Sequence, residues 1–390
     1  MRRLVRLVAS LALIAAGCSD RPPDSPALAV YGIAGSVNSE SGAGLAGVVL
    51  DLTGASAAST TSSSSGAYAF SGLVDGDYTV TPSLAGYAFS PERFDLRVNG
   101  GDVTASAFTC SAVWFGVASG TTRPLRSAWG SGANDVWAVG DAGTILHWDG
   151  TAWSSVTNPL SGTARLWEVW GSGASDVWAV SSSGTILRWD GSAWSSAPSG
   201  TTNQVLSVWG SGADDVWAVG TSGTVQHWNG SAWSSVASGT TSILASVWGS
   251  QSSDVWAVGM SGTVLHWNGS AWSSVASGTT NDLSAVWGSG ASTVWAVGNA
   301  GTILRWDGSA WSSVASGTQN DLSAVWGSGA DGSGLWAAGN FGTILHWDGS
   351  TWSSVASGTT SHIIDVWGSQ ASGVWAVGDH GVVLRRPDVP

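Results

Sequence analysis

Four histidines recur at one position of a repeated sequence, and histidine is the commonest metal ligand and acid–base group near neutral pH. They are His147, His227, His266 and His346. Three other repeats carry an arginine at this position, namely Arg188, Arg305 and Arg385. Equivalent positions of a symmetric fold lie far apart, so we do not expect these side chains to share a metal ion. They predict a basic residue that covers the outer half of each repeat.

A second candidate cluster lies in the last repeat, where His362 and Asp365 are followed by Asp379 and His380. Histidine and carboxylate side chains together could form a polar or metal pocket. Isolated His and Asp residues in loops are otherwise simply solvated, and both alternatives stay open. The sequence predicts no bound cofactor.

The repeats contain few of the residues that enzymatic catalysis requires. A glycosidase needs two facing carboxylates, yet Glu168 is the only glutamate after residue 113. Most aspartates there fall in repeated turns, and lysine is absent from the whole chain. No Gly-x-Ser-x-Gly nucleophile motif occurs. We therefore expect a protein without enzymatic activity.

These residues belong to a unit that recurs every 39 to 41 residues. Each unit contains four short β-rich runs, bounded by Gly or Ser and alternating with period 2. This pattern predicts four strands per unit and argues against a helical solenoid. A Trp before Gly-Ser marks the units at Trp129, Trp170, Trp209, Trp248, Trp287, Trp326 and Trp367.

A short dipeptide joins the third and fourth runs in six units, as at Asp149-Gly150. Asp-Gly and Asn-Gly both accept the positive φ angles of a type I′ turn. A two-residue turn predicts that Trp148 pairs with Thr151 and that Leu146 pairs with Trp153.

The seventh unit ends after its third run, at Arg386, and a matching fourth run occurs instead at residues 113–122. A ring needs this split, because the first strand then completes the last unit and hides its edge. Trp fills 27 of the 28 equivalent slots, and Arg386 takes the last. The sequence predicts an all-β fold in which residues 113–390 form a closed seven-bladed β-propeller.

The units resemble tectonin-type lectin repeats, which have a Val-Trp strand and a Trp-Asp-Gly…Trp hairpin, and degenerate sialidase-like (Asp-box) repeats. The first resemblance implies a carbohydrate-binding propeller. The second implies a glycoside hydrolase with a Tyr nucleophile. All four tyrosines, Tyr31, Tyr68, Tyr78 and Tyr87, precede the repeats, so the sialidase-like hydrolase is the least favoured alternative.

The N-terminus has the parts of an export signal: three Arg residues within the first six, an apolar run at 7–16, and Gly17-Cys18. Ten apolar residues are too few to span a bilayer core of ~30 Å. Residues 15–18 resemble the lipobox of bacterial lipoproteins, which implies a signal peptide at 1–18 and lipidation of Cys18. Aspartate does not follow the cysteine directly, which predicts an anchor in the outer membrane or at the cell surface. Residues 19–28 are predicted to be a polar tether.

Residues 29–112 show short alternating runs that predict strands at Gly47–Leu52 and Asp77–Thr81. The Ser- and Thr-rich segment 55–65 predicts a flexible loop. The stretch 68–80 resembles the carboxypeptidase-regulatory-like family, which implies an immunoglobulin-like or prealbumin-like β-sandwich that serves as a spacer.

Three side chains of this first domain are candidates for chemistry. Asp75 and Asp77 could ligate calcium, but turn chemistry explains them better. Cys110 is predicted to be a small buried hydrophobe.

Charge narrows the possible partners. The chain has 26 acidic residues against 13 basic ones, a net charge of −13. Phosphate backbones would repel such a chain, so no nucleic-acid partner is expected.

The units differ mainly in the turns between their second and third runs and in the connections between units, which share one face of a propeller. We call this face the rim and predict that it contacts a protein, peptide or glycan, with drift in unconstrained loops as the alternative. A surface-anchored binding or adhesion platform for protein or peptide is the favoured function, and a lectin is the alternative. The candidate rim residues are Asp141, Asn281, Asp282, Asn299, Asn320, Asp321, Asn340, Phe341, His362, Asp379 and His380.

Overall fold

The computed structural model describes residues 29–160, 164–329, 334–369 and 373–388. Cys18, the predicted signal peptide and the predicted tether lie outside these ranges. Within them the regular elements are β-strands and six three-residue 3₁₀ turns. Among the described residues, no helical segment is long and apolar enough to cross a membrane.

The first strands form two sheets that share one core. One sheet has the order β4-β1-β9-β6, with β8 beside β1, and the other has the order β3-β2-β5-β7. The core between them includes Ile33, Leu50, Phe108 and Cys110, all with no exposed surface. The strands are β1 (Tyr31–Ser39), β2 (Val49–Gly54), β3 (Ala58–Thr61), β4 (Ala67–Leu73), β5 (Gly76–Ser83), β6 (Tyr87–Ser90), β7 (Phe94–Val98), β8 (Val103–Thr104) and β9 (Phe108–Ala112).

The predicted flexible loop at 55–65 is wrong, because its middle forms β3 and pairs antiparallel with β2. The buried hydroxyl of Ser62 then anchors the end of that strand. It accepts a hydrogen bond from the Val48 amide at 2.9 Å and donates one to the Leu45 carbonyl at 2.7 Å. The strand consists of one alanine followed by hydroxyl side chains, a composition that does not distinguish a paired strand from a loop.

Seven four-stranded sheets follow, and we name them blade 1 to blade 7. A short strand, β10 (Phe115–Gly116), follows the sandwich in sequence and belongs to blade 7. Blades 1 to 3 contain β11 (Leu125–Gly132), β12 (Asp135–Gly140), β13 (Ile145–Trp148) and β14 (Trp153–Ser155); β15 (Leu166–Gly173), β16 (Asp176–Ser181), β17 (Ile186–Trp189) and β18 (Trp194–Ala197); and β19 (Val205–Gly212), β20 (Asp215–Gly220), β21 (Val225–Trp228) and β22 (Trp233–Ser235).

The remaining blades have the same order of antiparallel strands. Blades 4 to 6 contain β23 (Leu244–Gln251), β24 (Asp254–Gly259), β25 (Val264–Trp267) and β26 (Trp272–Ser274); β27 (Leu283–Gly290), β28 (Thr293–Gly298), β29 (Ile303–Trp306) and β30 (Trp311–Ser313); and β31 (Leu322–Gly327), β32 (Leu335–Gly339), β33 (Ile344–Trp347) and β34 (Trp352–Ser354). Blade 7 contains β35 (Ile363–Ser369), β36 (Gly373–Gly378) and β37 (Val383–Arg386), with β10 as its outer strand.

The two ends of the repeat array meet in blade 7. Strand β10 pairs antiparallel with β37, with Phe115 opposite Arg385. The amide of Val117 donates to the Val383 carbonyl at 2.9 Å, and the Ser119 hydroxyl donates to the Gly381 carbonyl at 2.7 Å. The predicted pairing of the upstream strand with the last unit is confirmed.

The first strand of each blade is the innermost one, and these strands contact one another in succession around a central channel. They are β11, β15, β19, β23, β27, β31 and β35. The indole of each marker Trp lies against the glycine that follows the marker Trp of the next blade. A Cβ atom on those glycines would approach the indole to 2.5–2.9 Å, which explains why the sequence reads Trp-Gly. Trp367 of blade 7 lies against Gly130 of blade 1, so the contacts form a closed circle.

The hydrophobic core of the ring lies between blades rather than within them. One cluster joins Trp256 and Val258 of blade 4 to Leu283 and Val294 of blade 5, and equivalent clusters occupy the other interfaces. The predicted all-β chain with propeller-like four-stranded sheets is therefore confirmed, and each blade depends on its neighbours for burial.

The predicted hairpin register is wrong. Trp148 pairs with Trp153, and Leu146 pairs with Ser155, so the loop holds four residues instead of two. Only Gly150 has a positive φ, whereas a type I′ turn needs two such residues. The Asp149 carboxylate accepts the Thr151 and Ala152 amides at 2.8 and 2.9 Å, and this side-chain cap fixes the longer turn.

Candidate functional site

The turns between the second and third strands and the connections between blades lie together on the rim. The turn amide of Met260 donates to the Ile243 carbonyl in the connection that enters the same blade, at 3.0 Å. Asp141 makes the equivalent bond to Pro124. The 3₁₀ turns are Asp141–Gly143, Thr221–Gly223, Met260–Gly262, Asn299–Gly301, Asn340–Gly342 and Asp379–Gly381.

The middle residue of each 3₁₀ turn adopts a left-handed conformation. Ala142, Phe341 and His380 have φ angles of 54°, 57° and 59°, and three further turns match them. Such a conformation costs a non-glycine residue roughly 1–2 kcal/mol. The same backbone therefore carries different side chains outward in six of the seven blades.

The Asp residues of the connections tie neighbouring turns together. Asp282 accepts the Ser261 amide of blade 4 at 2.7 Å and the Asn299 side-chain amide of blade 5 at 3.3 Å. Asp321 makes the equivalent pair of bonds one blade further on, to Ala300 and the Asn340 side chain. These rim residues hold the blades in register as well as facing solvent.

The preceding asparagines are also engaged within the rim. Asn281 and Asn320 each donate a hydrogen bond of 2.8 Å to a threonine hydroxyl, Thr302 and Thr343 respectively. Much of the polar side-chain chemistry predicted to face a ligand therefore supports the turns.

Two large hydrophobic side chains of the rim are exposed. Phe341 has 74% of its surface exposed and Met260 has 37%. Phe341 holds this position in spite of its left-handed backbone, so its ring projects from a fixed turn. An exposed aromatic ring on a rigid turn is suited to contact with a partner.

The predicted His–Asp cluster of the last blade is brought together only in part. The Nε2 of His362 lies 2.7 Å from the Ser323 hydroxyl, and its Nδ1 lies 3.9 Å from an Asp379 oxygen. Burial lowers the pKa of His362. Asp365 faces the central channel instead. Within the described ranges, no three His, Cys, Asp or Glu side chains are grouped as metal ligands would be.

Sequence reasoning missed an Arg–Trp cluster on blades 1 and 2. Arg126 donates two hydrogen bonds to Asp141, at 2.9 and 3.0 Å, and the Nε of Arg165 lies 2.6 Å from the same carboxylate. The hydrogen bond from Arg126 holds the pKa of Asp141 below its usual value. Both guanidinium groups also lie over the Trp167 ring, at 5.5 and 4.6 Å from its centroid.

The signal for this cluster was present in the sequence. Trp167 is the only Trp outside the repeated pattern, and only blades 1 and 2 have an arginine in the connection that enters the blade, Arg123 and Arg165. Two arginines, Arg126 and Arg165, face the single carboxylate of Asp141, and a third, Arg123, donates to the Ala142 carbonyl at 3.2 Å. This sector is locally basic on a chain that is acidic overall.

The second feature of the ring is its channel. In five of the seven blades, the side chain two residues before the marker Trp accepts a hydrogen bond from a backbone amide of the next blade. Glu168 accepts from Val208 at 2.8 Å, and Asp365 accepts from Ala128 at 3.0 Å. Serines do the same from blades 1, 3 and 4, at Ser127, Ser207 and Ser246.

Burial perturbs both channel carboxyls. Desolvation, with a further contribution from the negative charge of Asp365, raises the pKa of Glu168 to about 8. Desolvation raises the pKa of Asp365 to about 6. Both carboxyl groups accept hydrogen bonds from backbone amides. The expectation of no enzymatic activity stays a prediction.

The repeated histidines lie away from the rim. His147 is 2.6 Å from Asp135 and stacks on Trp137 with centroids 4.4 Å apart, and blades 3 and 4 repeat this arrangement. Arg386, in the slot that lacks a Trp, lies over Trp336 at 5.0 Å. Each basic side chain covers an indole in its own part of the ring.

The first-domain candidates have structural roles. Asp75 accepts the Gly100 amide at 2.7 Å, and Asp77 lies 3.6 Å from Arg97. Cys110 is fully buried and its thiol is free, and burial raises the pKa of that thiol.

Comparison with known proteins identifies the architecture. The carboxypeptidase regulatory-like domain family matches residues 32–110. No curated protein matches the sequence. Among solved structures, YCF48 bound to D1 peptide is 19% identical with a TM-score of 0.61, and the match covers 71% of this chain and 98% of that chain.

Two further structures agree. YCF48 from Cyanidioschyzon merolae is 19% identical with a TM-score of 0.58, over 71% of this chain and 99% of that chain. The WD40 β-propeller domain of Doa1 is 12% identical with a TM-score of 0.62, over 70% and 97%. At these identities the likeness shows the fold, and the chain therefore combines a β-sandwich similar to the carboxypeptidase regulatory-like domain with a β-propeller fold.

Proposed function

We propose that blades 1 to 7 form one seven-bladed propeller that serves as a non-enzymatic platform for a protein or peptide partner. The observation that carries this proposal is the contrast between the Trp–Gly contact, which recurs in all seven blades, and the divergent side chains on the turn backbone that six blades share at the rim. A propeller of the same fold, YCF48, has been solved bound to the D1 peptide. That precedent supports a peptide partner for this rim.

The Arg–Trp cluster is the first anchor that we assign to the partner. Arginine and tryptophan are enriched among residues that dominate binding energy at interfaces. The side chain of Arg165 is 39% exposed, so its guanidinium is accessible while Asp141 orients it. Phe341 provides a second anchor on another sector of the rim.

The test is binding of the full chain to an immobilised peptide library that contains acidic, neutral and basic sequences. Arg165→Ala and Phe341→Ser are expected to weaken the strongest interactions at least tenfold. Arg305→Ala is the matched control, because Arg305 is an exposed arginine that lies over Trp295 away from the rim. Equal loss in Arg165→Ala and Arg305→Ala would contradict the proposal.

We also propose that the platform is exported and held at the bacterial outer membrane or cell surface by a lipid on Cys18. The lipobox-like residues 15–18 support this proposal. Expression of the full-length chain in a Gram-negative host supplied with a palmitate label is expected to give a labelled membrane protein. Cys18→Ala should abolish the label, and retention of the label would refute the anchor.

A lectin is the second candidate function, and a repeated cleft favours it. The cleft formed by blade 4 and the connections on either side of it has a volume of about 830 Å³, and its lining includes Ser274, Thr280 and the Trp272 ring without any charged side chain. Similar uncharged clefts adjoin other blades. Neutral hydroxyl-rich walls suit sugars. Glycan-array binding that is lost in Trp272→Ala and retained in Arg165→Ala would favour the lectin over the peptide platform.

A further inference from the structure

The central channel encloses a cavity that the rim proposal does not use. Its volume is about 230 Å³, room for several water molecules at ~30 Å³ each. All seven innermost strands contribute to its wall. The lining includes the seven marker indoles, of Trp129, Trp170, Trp209, Trp248, Trp287, Trp326 and Trp367.

The charge of this cavity has a single sign. Among the described residues that line it, Glu168 of blade 2 and Asp365 of blade 7 are the ionisable ones, and none is an arginine or histidine. Five of the seven blades place Ser or Ala at this position, so the backbone amides of the ring do not require a carboxylate there. The two acidic side chains are therefore additions to a ring that serine can hold together.

Aromatic walls and acidic groups favour the same kind of ligand. The face of an indole attracts a cation, and the attraction grows when water is excluded. A carboxylate within the same wall adds a Coulomb interaction that is stronger than in bulk water. A divalent metal is less suited, because it needs more oxygen or nitrogen ligands than two carboxyls provide.

We propose that the channel cavity is a binding site for a small organic cation, an alkylammonium group, held between the tryptophan ring and the carboxylates of Glu168 and Asp365. This site is independent of the rim and goes beyond the proposed function. The raised pKa values fit it, because a bound cation favours the ionised carboxylates and its binding near pH 7 releases protons.

The experiment is calorimetric titration of the full chain with choline at pH 7 in two buffers of different ionisation enthalpy. Saturable binding with proton release is expected, together with a change in Trp fluorescence. The neutral isostere 3,3-dimethyl-1-butanol should bind at least tenfold more weakly. Equal binding of the alcohol, or stronger binding of magnesium chloride than of choline, would overturn the proposal.

Two variants separate the site from a general effect on folding. Glu168→Gln removes a charge but keeps an acceptor for the Val208 amide, and it is expected to weaken choline binding at least tenfold. Asp190→Asn makes the same change of charge at an exposed turn of blade 2 outside the cavity, where the side chain accepts the Ser192 and Ala193 amides, so choline affinity should stay within twofold. Unchanged affinity in Glu168→Gln, with its thermal transition intact, would also overturn the proposal. Asp365→Asn repeats the test from blade 7.

Discussion

The two parts of this chain bury their hydrophobic residues in different ways. The sandwich has one core between two sheets, whereas the ring has its cores at the interfaces between successive blades. A lesion in the sandwich therefore acts on a single compact unit. A lesion in the ring removes contacts from two blades at once and weakens a closed circle, so its effect should extend to every blade.

The largest expected effect comes from truncating one fully buried aromatic residue in each part. Phe108→Ala in the sandwich and Trp178→Ala in the ring should each lower the free energy of unfolding by about 3–5 kcal/mol. In calorimetry, Phe108→Ala should lower only the transition temperature of the sandwich. Trp178→Ala should lower the transition temperature of the ring, with all blades unfolding together. Independent melting of single blades would contradict this comparison.

A smaller effect is expected at one of the Trp–Gly contacts. Gly288→Ala would place a Cβ atom 2.5 Å from the Trp248 indole and 2.8 Å from the Thr293 carbonyl, and should destabilise the ring by roughly 1–3 kcal/mol. Gly290→Ala on the same strand meets no atom within 4 Å and should stay within about 0.5 kcal/mol of the wild type. Chemical denaturation monitored by Trp fluorescence measures both. Equal stability of the two variants would contradict the close contact between the Trp248 indole and Gly288.

The pH dependence should distinguish the parts as well, because only the ring has buried carboxyls with raised pKa values. A group of this kind contributes stability that is complete below its unfolded pKa, near 4.5 for Glu168, and lost as pH rises through about 8. The free energy of unfolding of the ring should therefore fall as the pH rises from 5 to 8. Glu168→Gln should flatten this slope, and the sandwich transition should not share it. A slope that is undiminished in Glu168→Gln would assign the pH dependence to other groups, whereas a reduced slope is expected to remain from Asp365, whose pKa is raised to about 6.

The smallest effect concerns a single turn. Asp190 accepts the Ser192 and Ala193 amides, and hydrogen bonds from these amides and the Ser192 hydroxyl lower its pKa to about 2. Asn229 makes the same bonds in blade 3. Asp190→Asn should therefore leave the melting temperature at pH 7 close to that of the wild type, whereas Asp190→Ala, which removes the acceptor, should lower it. Thermal unfolding of the two variants would test whether the acceptor or its charge matters.

The sequence was sufficient for the architecture because repetition supplied many independent copies of one pattern. The split of the last unit predicted the pairing of β10 with β37 even though β10 has only two residues. The hairpin register could not be read in the same way, because a carboxylate that caps two amides competes with the turn preferred by Asp-Gly. All six copies carried the same ambiguity, so repetition did not help.

The sites were harder to predict than the fold for a different reason. Arg126, Asp141 and Arg165 are brought together by the packing of blade 1 against blade 2, and no local motif records that meeting. The channel position of Asp365 likewise depends on which face of β35 turns inward. Sequence comparison of the units pointed to the rim as a whole, and it could not separate side chains that brace the turns from side chains that are available to a partner.

The pairing that closes blade 7 also governs how the molecule can be made. Ser119 and Gly381 are 262 residues apart in sequence, so this seam has one of the longest contacts in the chain. During synthesis the interface between blades 7 and 1 stays open until the final strand emerges, which leaves apolar surface uncovered for most of translation. Such long-range closure slows folding. Once β10 has paired with β37, this pairing must break before neighbouring blades can separate. The native state should therefore persist mainly because it unfolds slowly.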